Sequence, residues 1–260
     1  MTRRGYVDTS RGQLHYREAG EGDPVVLLHM TASSSVMYER VLPILASNRH
    51  AIAVDTPGFG LSDPLPGIPD IPAYAEALGD FFDALLLEKA DVVGFHTGAS
   101  IALEFAVSQP NRVRKLVLAA ILALQNQEEA SEWSTRILDP WDPDGKGQFV
   151  SNICWWLSQY VPLDDGEAFL SEMIARMQAG PDYLLAPSAV IAYDALAAVV
   201  RLSRETLFLS PEKDNLSDLT SRAFSLSNGM KTSYREIPGD DGAIYEYPEE
   251  FSAAILDFLG

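Results

Sequence analysis

The stretch that most constrains this chain is Val92-Val93-Gly94-Phe95-His96-Thr97-Gly98-Ala99-Ser100-Ile101. A β-branched run enters it from Asp91, and a helical pattern leaves it through Ile101, Ala102, Phe105 and Ala106. The spacing Gly94-Phe95-His96-Thr97-Gly98 fits a strand that turns sharply into a helix around one apex residue. Strand and helix approach that closely only where side chains are absent, which is the physical use of the two glycines. The apex residue is His96.

The rest of the chain agrees with a strand–helix alternation. Tyr6–Thr9 and Gln13–Arg17 read as an antiparallel hairpin around Ser10-Arg11-Gly12. Pro24–His29, Ala51–Val54 and Val113–Ile121 are continuous apolar runs suited to strands covered on both faces. Met37–Leu45, Ile71–Leu87 and the segment from the elbow to Ser108 carry helical periodicity. Thr206–Leu209 and Ser233–Ile237 read as further strands, Leu216–Leu226 and Pro248–Leu259 as helices. The order predicts an α/β fold: a mostly parallel central sheet with helices on both faces. From 125 to 201 no buried strand run occurs, and all four tryptophans fall there: Trp133, Trp141, Trp155 and Trp156. This segment is expected to be a helical cap inserted after the sixth strand, with 1–124 and 202–260 forming the core domain. Its aromatics, Trp133, Trp155, Trp156 and Tyr160 among them, are candidates for roofing a substrate pocket; packing of the cap on the core would use the same residues.

With 260 residues and 47% hydrophobic content the chain can build one sizeable core. Its formal net charge of −18 argues against nucleic acid and anionic membranes as partners. A small-molecule substrate is expected, with the chain a monomer or homodimer. Cys154 is the single cysteine, so no intrachain disulfide forms; this fits a cytoplasmic location. No signal-peptide pattern follows Met1-Thr2-Arg3-Arg4, and no apolar run is long enough to span a membrane.

The glycine-flanked elbow, the segment Asp55-Thr56-Pro57-Gly58-Phe59-Gly60-Leu61-Ser62-Asp63 and the strand order together resemble the α/β-hydrolase superfamily over nearly the whole chain. The resemblance implies a nucleophile–acid–histidine triad in that chain order. Here the elbow serine position is His96. Leu207-Phe208-Leu209-Ser210-Pro211-Glu212-Lys213-Asp214 resembles the strand and acid segment, and implies that Asp214 is the acid; as a bland alternative, Asp214 caps the following helix. The loop Gly239-Asp240-Asp241-Gly242 aligns Gly242 with the triad histidine. The four histidines stand at 15, 29, 50 and 96, so none follows His96 and a triad in the family's order cannot form. The resemblance also implies oxyanion donors at the backbone N–H groups of Met30 and Thr97, with Thr31 placed to reach a ligand.

Three readings follow. His96, oriented by Asp214, acts as a general base in place of the serine, its ring entering the space vacated at Gly242. The pocket does lyase or isomerase chemistry, which needs a base and an oxyanion site but no nucleophile. Or the chain is an inactive binder of a small apolar ligand. No cofactor is implied. Asp142-Pro143-Asp144-Gly145 lacks the first ligand of a calcium loop, where Pro140 stands. A metal on His96, Asp214 and Asp241 finds no further ligand spacing nearby.

Overall fold

A computed structural model describes residues 1–138, 147–162, 164–227 and 231–260. Trp141 and the Asp142–Gly145 segment lie outside the described residues. The apolar runs become strands: β1 (Arg3–Thr9), β2 (Gly12–Ala19), β3 (Pro24–Leu28), β4 (His50–Val54), β5 (Ala90–Phe95), β6 (Val113–Ala119), β7 (Glu205–Pro211) and β8 (Thr232–Ile237). They form one eight-stranded sheet in the order β1-β2-β4-β3-β5-β6-β7-β8. β1 and β2 pair antiparallel, as do β2 and β4; every later pairing is parallel. Val25, Val26, Leu27, Val92, Val93, Leu116 and Val117 are fully buried. Strands read as unbroken apolar runs, rather than alternating ones, because both faces of the sheet are covered.

Among the described residues the helices α1 (Val41–Leu45), α2 (Ile71–Ala84), α3 (Thr97–Ser108), α9 (Ser217–Leu226) and α11 (Pro248–Leu259) pack against the sheet. α1 packs with α11, and α2 with α3. α2 starts where Asp70 accepts a hydrogen bond from Ala73 N–H at 2.9 Å, with Pro72 in its first turn. Its buried face carries Tyr74, Leu78, Phe81 and Phe82, each aromatic worth about 1.5–3 kcal/mol of burial. The helix ends at Ala84 rather than the expected Leu87. Leu86 takes a left-handed φ of 56°, and Leu87 N–H reaches Phe82 O at 2.8 Å, the closing pattern in which a left-handed residue satisfies the last carbonyls. The expected helix over 37–45 is likewise split, into a 3-10 turn at Ser35–Tyr38 and α1.

Between β6 and β7 the described residues are helical: α4 (Gln127–Ile137), α5 (Gln148–Leu157), α6 (Gly166–Gln178), α7 (Leu185–Ala192) and α8 (Ala195–Val200). A short α10 (Ala243–Glu246) follows β8. Among the described residues no helix is long and apolar enough to cross a membrane. The chain leaves β3 toward β4 on one side and returns to β5 on the other. The strand order therefore reverses between β3 and β5, and the loops beyond their carboxyl ends open a crevice, the usual ligand position in an open parallel sheet. Met30 follows β3 and His96 follows β5 at that crevice.

Candidate active site at the strand order reversal

The elbow glycines are required by contact. A Cβ on Gly94 would lie 2.2 Å from Gly98 O, and one on Gly98 would lie 2.1 Å from Leu28 O. His96 sits between them at φ 50°, ψ −113°, a backbone region that non-glycine residues seldom occupy. Its N–H is tied to Ala119 O of β6 at 3.0 Å and its carbonyl accepts from Ala99 N–H at 2.9 Å. The imidazole stacks on Phe95, with centroids 4.5 Å apart and planes 19° apart.

The structure brings His96 and Asp214 together: Nε2 lies 3.0 Å from Asp214 Oδ2. The Asp214 side chain is fully buried while that of His96 is 20% exposed. Asp214 also accepts from Leu216 N–H through Oδ1, at 2.7 Å, so the carboxylate both meets the imidazole and supports the turn into α9. Asp241, from the loop after β8, completes a group whose ligand-type atoms all lie within 4.8 Å of one another. Both its oxygens accept from Asn215, from N–H at 3.0 Å and from Nδ2 at 2.8 Å. Burial alone would lower the His96 pKa; the Asp214 charge and hydrogen bond, with the Asp241 charge, outweigh it and raise the imidazole above its ordinary value. A carboxylate on Nε2 fixes the Nε2–H tautomer by its hydrogen bond, leaving Nδ1 as the basic nitrogen.

The loop after β3 is held by His29. Its Nδ1 lies 2.8 Å from Met30 O, and its Nε2 accepts from Thr56 N–H at 2.9 Å. Those two bonds define a neutral imidazole donating through Nδ1, and burial lowers its pKa. The Met30 carbonyl is thereby engaged, by His29 and by Ser33 N–H at 3.0 Å. Among the described residues the Met30 and Thr97 amides donate no turn or loop hydrogen bond; Thr97 is the first residue of α3, where helices leave amides without an acceptor. The Thr31 and Thr97 hydroxyls meet at 2.7 Å.

A cavity opens on this group. Met30, Thr31, His96, Thr97, Trp133, Trp156 and Tyr160 border it. Trp155 does not: it is 63% exposed and, together with Trp156 and Tyr160, borders an adjoining cavity that shares Arg136, Asn215 and Asp241 with this one. A Cβ on Gly242 would lie 1.9 Å from Tyr160 O, so backbone following α5 closes that position to a side chain, and the imidazole beside Asp214 is supplied from the elbow.

Sequence reasoning missed Arg136, Arg176, Tyr183 and Asn215 in the cavity wall, and considered Asp241 only as a metal ligand. Arg136 stacks over Trp133 at 4.8 Å and donates to Asn215 Oδ1 at 2.6 Å. Arg176 is 5% exposed and pairs with Glu172 at 2.9 Å. Two charges four apart on a helix ordinarily read as a solvated face, which is why they were not legible in the sequence.

The sequence model of the family described as "alpha/beta hydrolase fold" matches residues 23–152, half of the chain. The chain belongs to this family. Curated relatives match over a shorter stretch. Haloalkane dehalogenase 2 of Mycobacterium bovis is 34% identical over 114 residues, which are 44% of this chain and 40% of the relative. The 2-hydroxy-6-oxo-2,4-heptadienoate hydrolase of Pseudomonas putida is 35% identical over 122 residues, 45% of this chain and 42% of the relative. The chain thus spans less than half the length of these relatives in the matched region. Among solved structures, the enol-lactonase from Burkholderia xenovorans LB400 superposes with a TM-score of 0.82 at 16% identity, covering 98% of this chain and 99% of the other. A hydrolase from Pseudomonas aeruginosa PA01 gives 0.81 at 22% identity, covering 99% and 98%. At such identities the likeness is one of fold.

Proposed function

We propose that this chain is an enzyme acting on a small, largely apolar substrate with a carbonyl-type oxygen, with His96 as general base and Asp214 as its orienting partner. The reading takes His96 as the replacement for the family's elbow serine and Gly242 as the replacement for its triad histidine. One observation carries it: the His96 Nε2 to Asp214 Oδ2 contact of 3.0 Å at the wall of the cavity. A neutral imidazole with a carboxylate behind one nitrogen takes a proton on the other, so Nδ1 would accept it from water or from a carbon beside the substrate carbonyl. The negative charge that then develops on the carbonyl oxygen would be met by the Met30 and Thr97 N–H groups. Residues 125–201 would act as the cap, placing Trp133, Trp156 and Tyr160 over the substrate.

Proton abstraction is common to the hydrolytic and the lyase or isomerase versions; they divide at whether water is added. The names of the curated relatives, a dehalogenase and a dienoate hydrolase, favour hydrolysis as the first chemistry to try. The test is turnover of a panel of activated esters, lactones and epoxides by wild type and His96→Ala. Wild-type turnover that disappears in the variant, with ligand affinity kept, supports the reading. Equal rates in both proteins remove His96 as the base for these substrates. Binding without product in both, across hydrolase and isomerase substrates, would make the chain a ligand-binding protein instead.

A further inference from the structure

The cavity that His96 borders also carries a buried cation. Arg176 of α6 is 5% exposed, lines the cavity, and donates through Nη2 to the Tyr160 hydroxyl and through Nη1 to Glu172 Oε2 at 2.9 Å. A guanidinium has five N–H donors in a fixed fork suited to a carboxylate, and these two contacts leave it donors to spare. Keeping such a charge out of water at an apolar, aromatic-lined wall is costly unless it is paired. Its partner, Glu172, is 1% exposed and accepts a second bond from Ser33 Oγ at 2.7 Å.

We propose that Arg176 is the anchor for a carboxylate on the ligand, and that Glu172 gives up the guanidinium to the incoming carboxylate by taking a proton. The class of ligand is then a small organic acid whose apolar body meets Trp133 and Trp156. In the exchange no covalent bond changes except the one to the proton. Glu172 goes from carboxylate to carboxylic acid, Arg176 stays cationic, and its Nη1–H bond passes from Glu172 Oε2 to the ligand.

The surroundings of Glu172 suit that exchange. Burial pushes its carboxyl up to about 7, against the pull of the Tyr245 and Ser33 hydroxyls beside it; the Arg176 bond at 2.9 Å favours the ionised form until the ligand carboxylate takes that bond over. The Tyr245 hydroxyl of α10 is buried beside Glu172 and Ser33, and its lone pairs can accept the new O–H. The other groups facing this cluster are Tyr183 before α7, His29 behind the loop after β3, and, across a second cavity bordering Glu172, Glu39, Arg40 and Glu167. Arg40 is engaged with Asp165, and none of the three contacts Arg176 in the bonds above.

The inference rests on the proposed cavity being the ligand site but not on His96 being a base. It is tested by binding alone, so its failure and that of the catalytic reading are separable. The probes are benzoate and its neutral isostere benzamide, titrated calorimetrically into the full chain between pH 6 and 8. Benzoate is expected to bind at least tenfold tighter than benzamide at pH 6. Its affinity should fall about tenfold by pH 8, the change in the protonated fraction of a group titrating near 7. Proton uptake on binding is read directly, as a dependence of the observed heat on the buffer's ionisation enthalpy, and needs no variant. Arg176→Met should lose the preference for benzoate and keep benzamide binding; Glu172→Gln should bind benzoate with the Glu172 share of the proton uptake gone and any remainder due to His96. Equal binding of the two probes, no benzoate binding at about 10 mM, or an unchanged preference in Arg176→Met overturns the anchor. Proton uptake that is absent in wild type, or unchanged in Glu172→Gln, overturns the exchange.

Discussion

Holding an imidazole at φ 50° costs backbone energy on the order of 1–3 kcal/mol, and the contacts of His96 are what hold it there. The bond to Asp214 is the strongest of them and is charge-dependent. Because the folded-state pKa of His96 is raised, its pairing contributes stability that is complete below the unfolded value of about 6.5. That contribution is lost as pH rises through the folded value. A double-mutant cycle with His96→Ala and Asp214→Asn, read by urea unfolding, should give a coupling of about 0.5–3 kcal/mol at pH 6 and a smaller one at pH 9. A coupling that grows with pH would reverse the sign. Turnover should follow the opposite course, rising with pH as Nδ1 loses its proton, with a midpoint above the ordinary histidine value. In Asp214→Asn the midpoint should move down, since burial then opposes the charge with only Asp241 left to favour it. A rate that falls as pH rises through this range would contradict a base.

Secondary elements were legible where burial is uniform and obscure where charges are buried. The strands after Pro24, Ala90 and Val113 announce themselves because both faces are apolar, and the glycine-flanked elbow follows from contacts no side chain would permit. α6 shows the reverse. Leu170, Ile174 and Met177 are 59%, 50% and 46% exposed, while Glu172 and Arg176 point inward; hydrophobic periodicity alone assigns that helix the wrong face. Asp214 was legible from its segment, but Asp241 and Asn215 needed the loops after β7 and β8 to be placed side by side. The Gly242 position makes a further expectation. With Tyr160 O against it, a side chain there forces backbone to move, and overpacking of this kind costs about 1–3 kcal/mol. Gly242→Ala should lower the melting temperature, and the double variant His96→Ser, Gly242→His should not gain serine-esterase activity on p-nitrophenyl acetate. Gain of that activity would show that the space is open after all.

Over the whole molecule the charge of −18 works against the compact state through self-repulsion. Salt shortens the reach of that repulsion, from about 30 Å at 0.01 M to about 8 Å at 0.15 M. The melting temperature at pH 7.5 is therefore expected to rise by a few degrees between about 10 and 150 mM NaCl; a flat or falling curve would mean that attractive pairs dominate the surface. The same field disfavours an anionic ligand at a distance, so the cations Arg136 and Arg176 in the cavity wall act locally against the molecule's overall sign. The mostly parallel sheet with helices on both faces is the fold of the family to which the chain belongs. At the elbow apex the imidazole of His96 faces the carboxylates of Asp214 and Asp241.

The most direct measurement is an NMR titration of the His96 imidazole, assigned by comparison with His96→Ala, in wild type and in Asp214→Asn. A base oriented by Asp214 should titrate above about 6.5 in wild type and at a lower pH in the variant, with the Nε2–H tautomer dominant in the neutral form. A midpoint at or below the ordinary value, unmoved by loss of Asp214, would contradict the pairing on which the proposed chemistry depends.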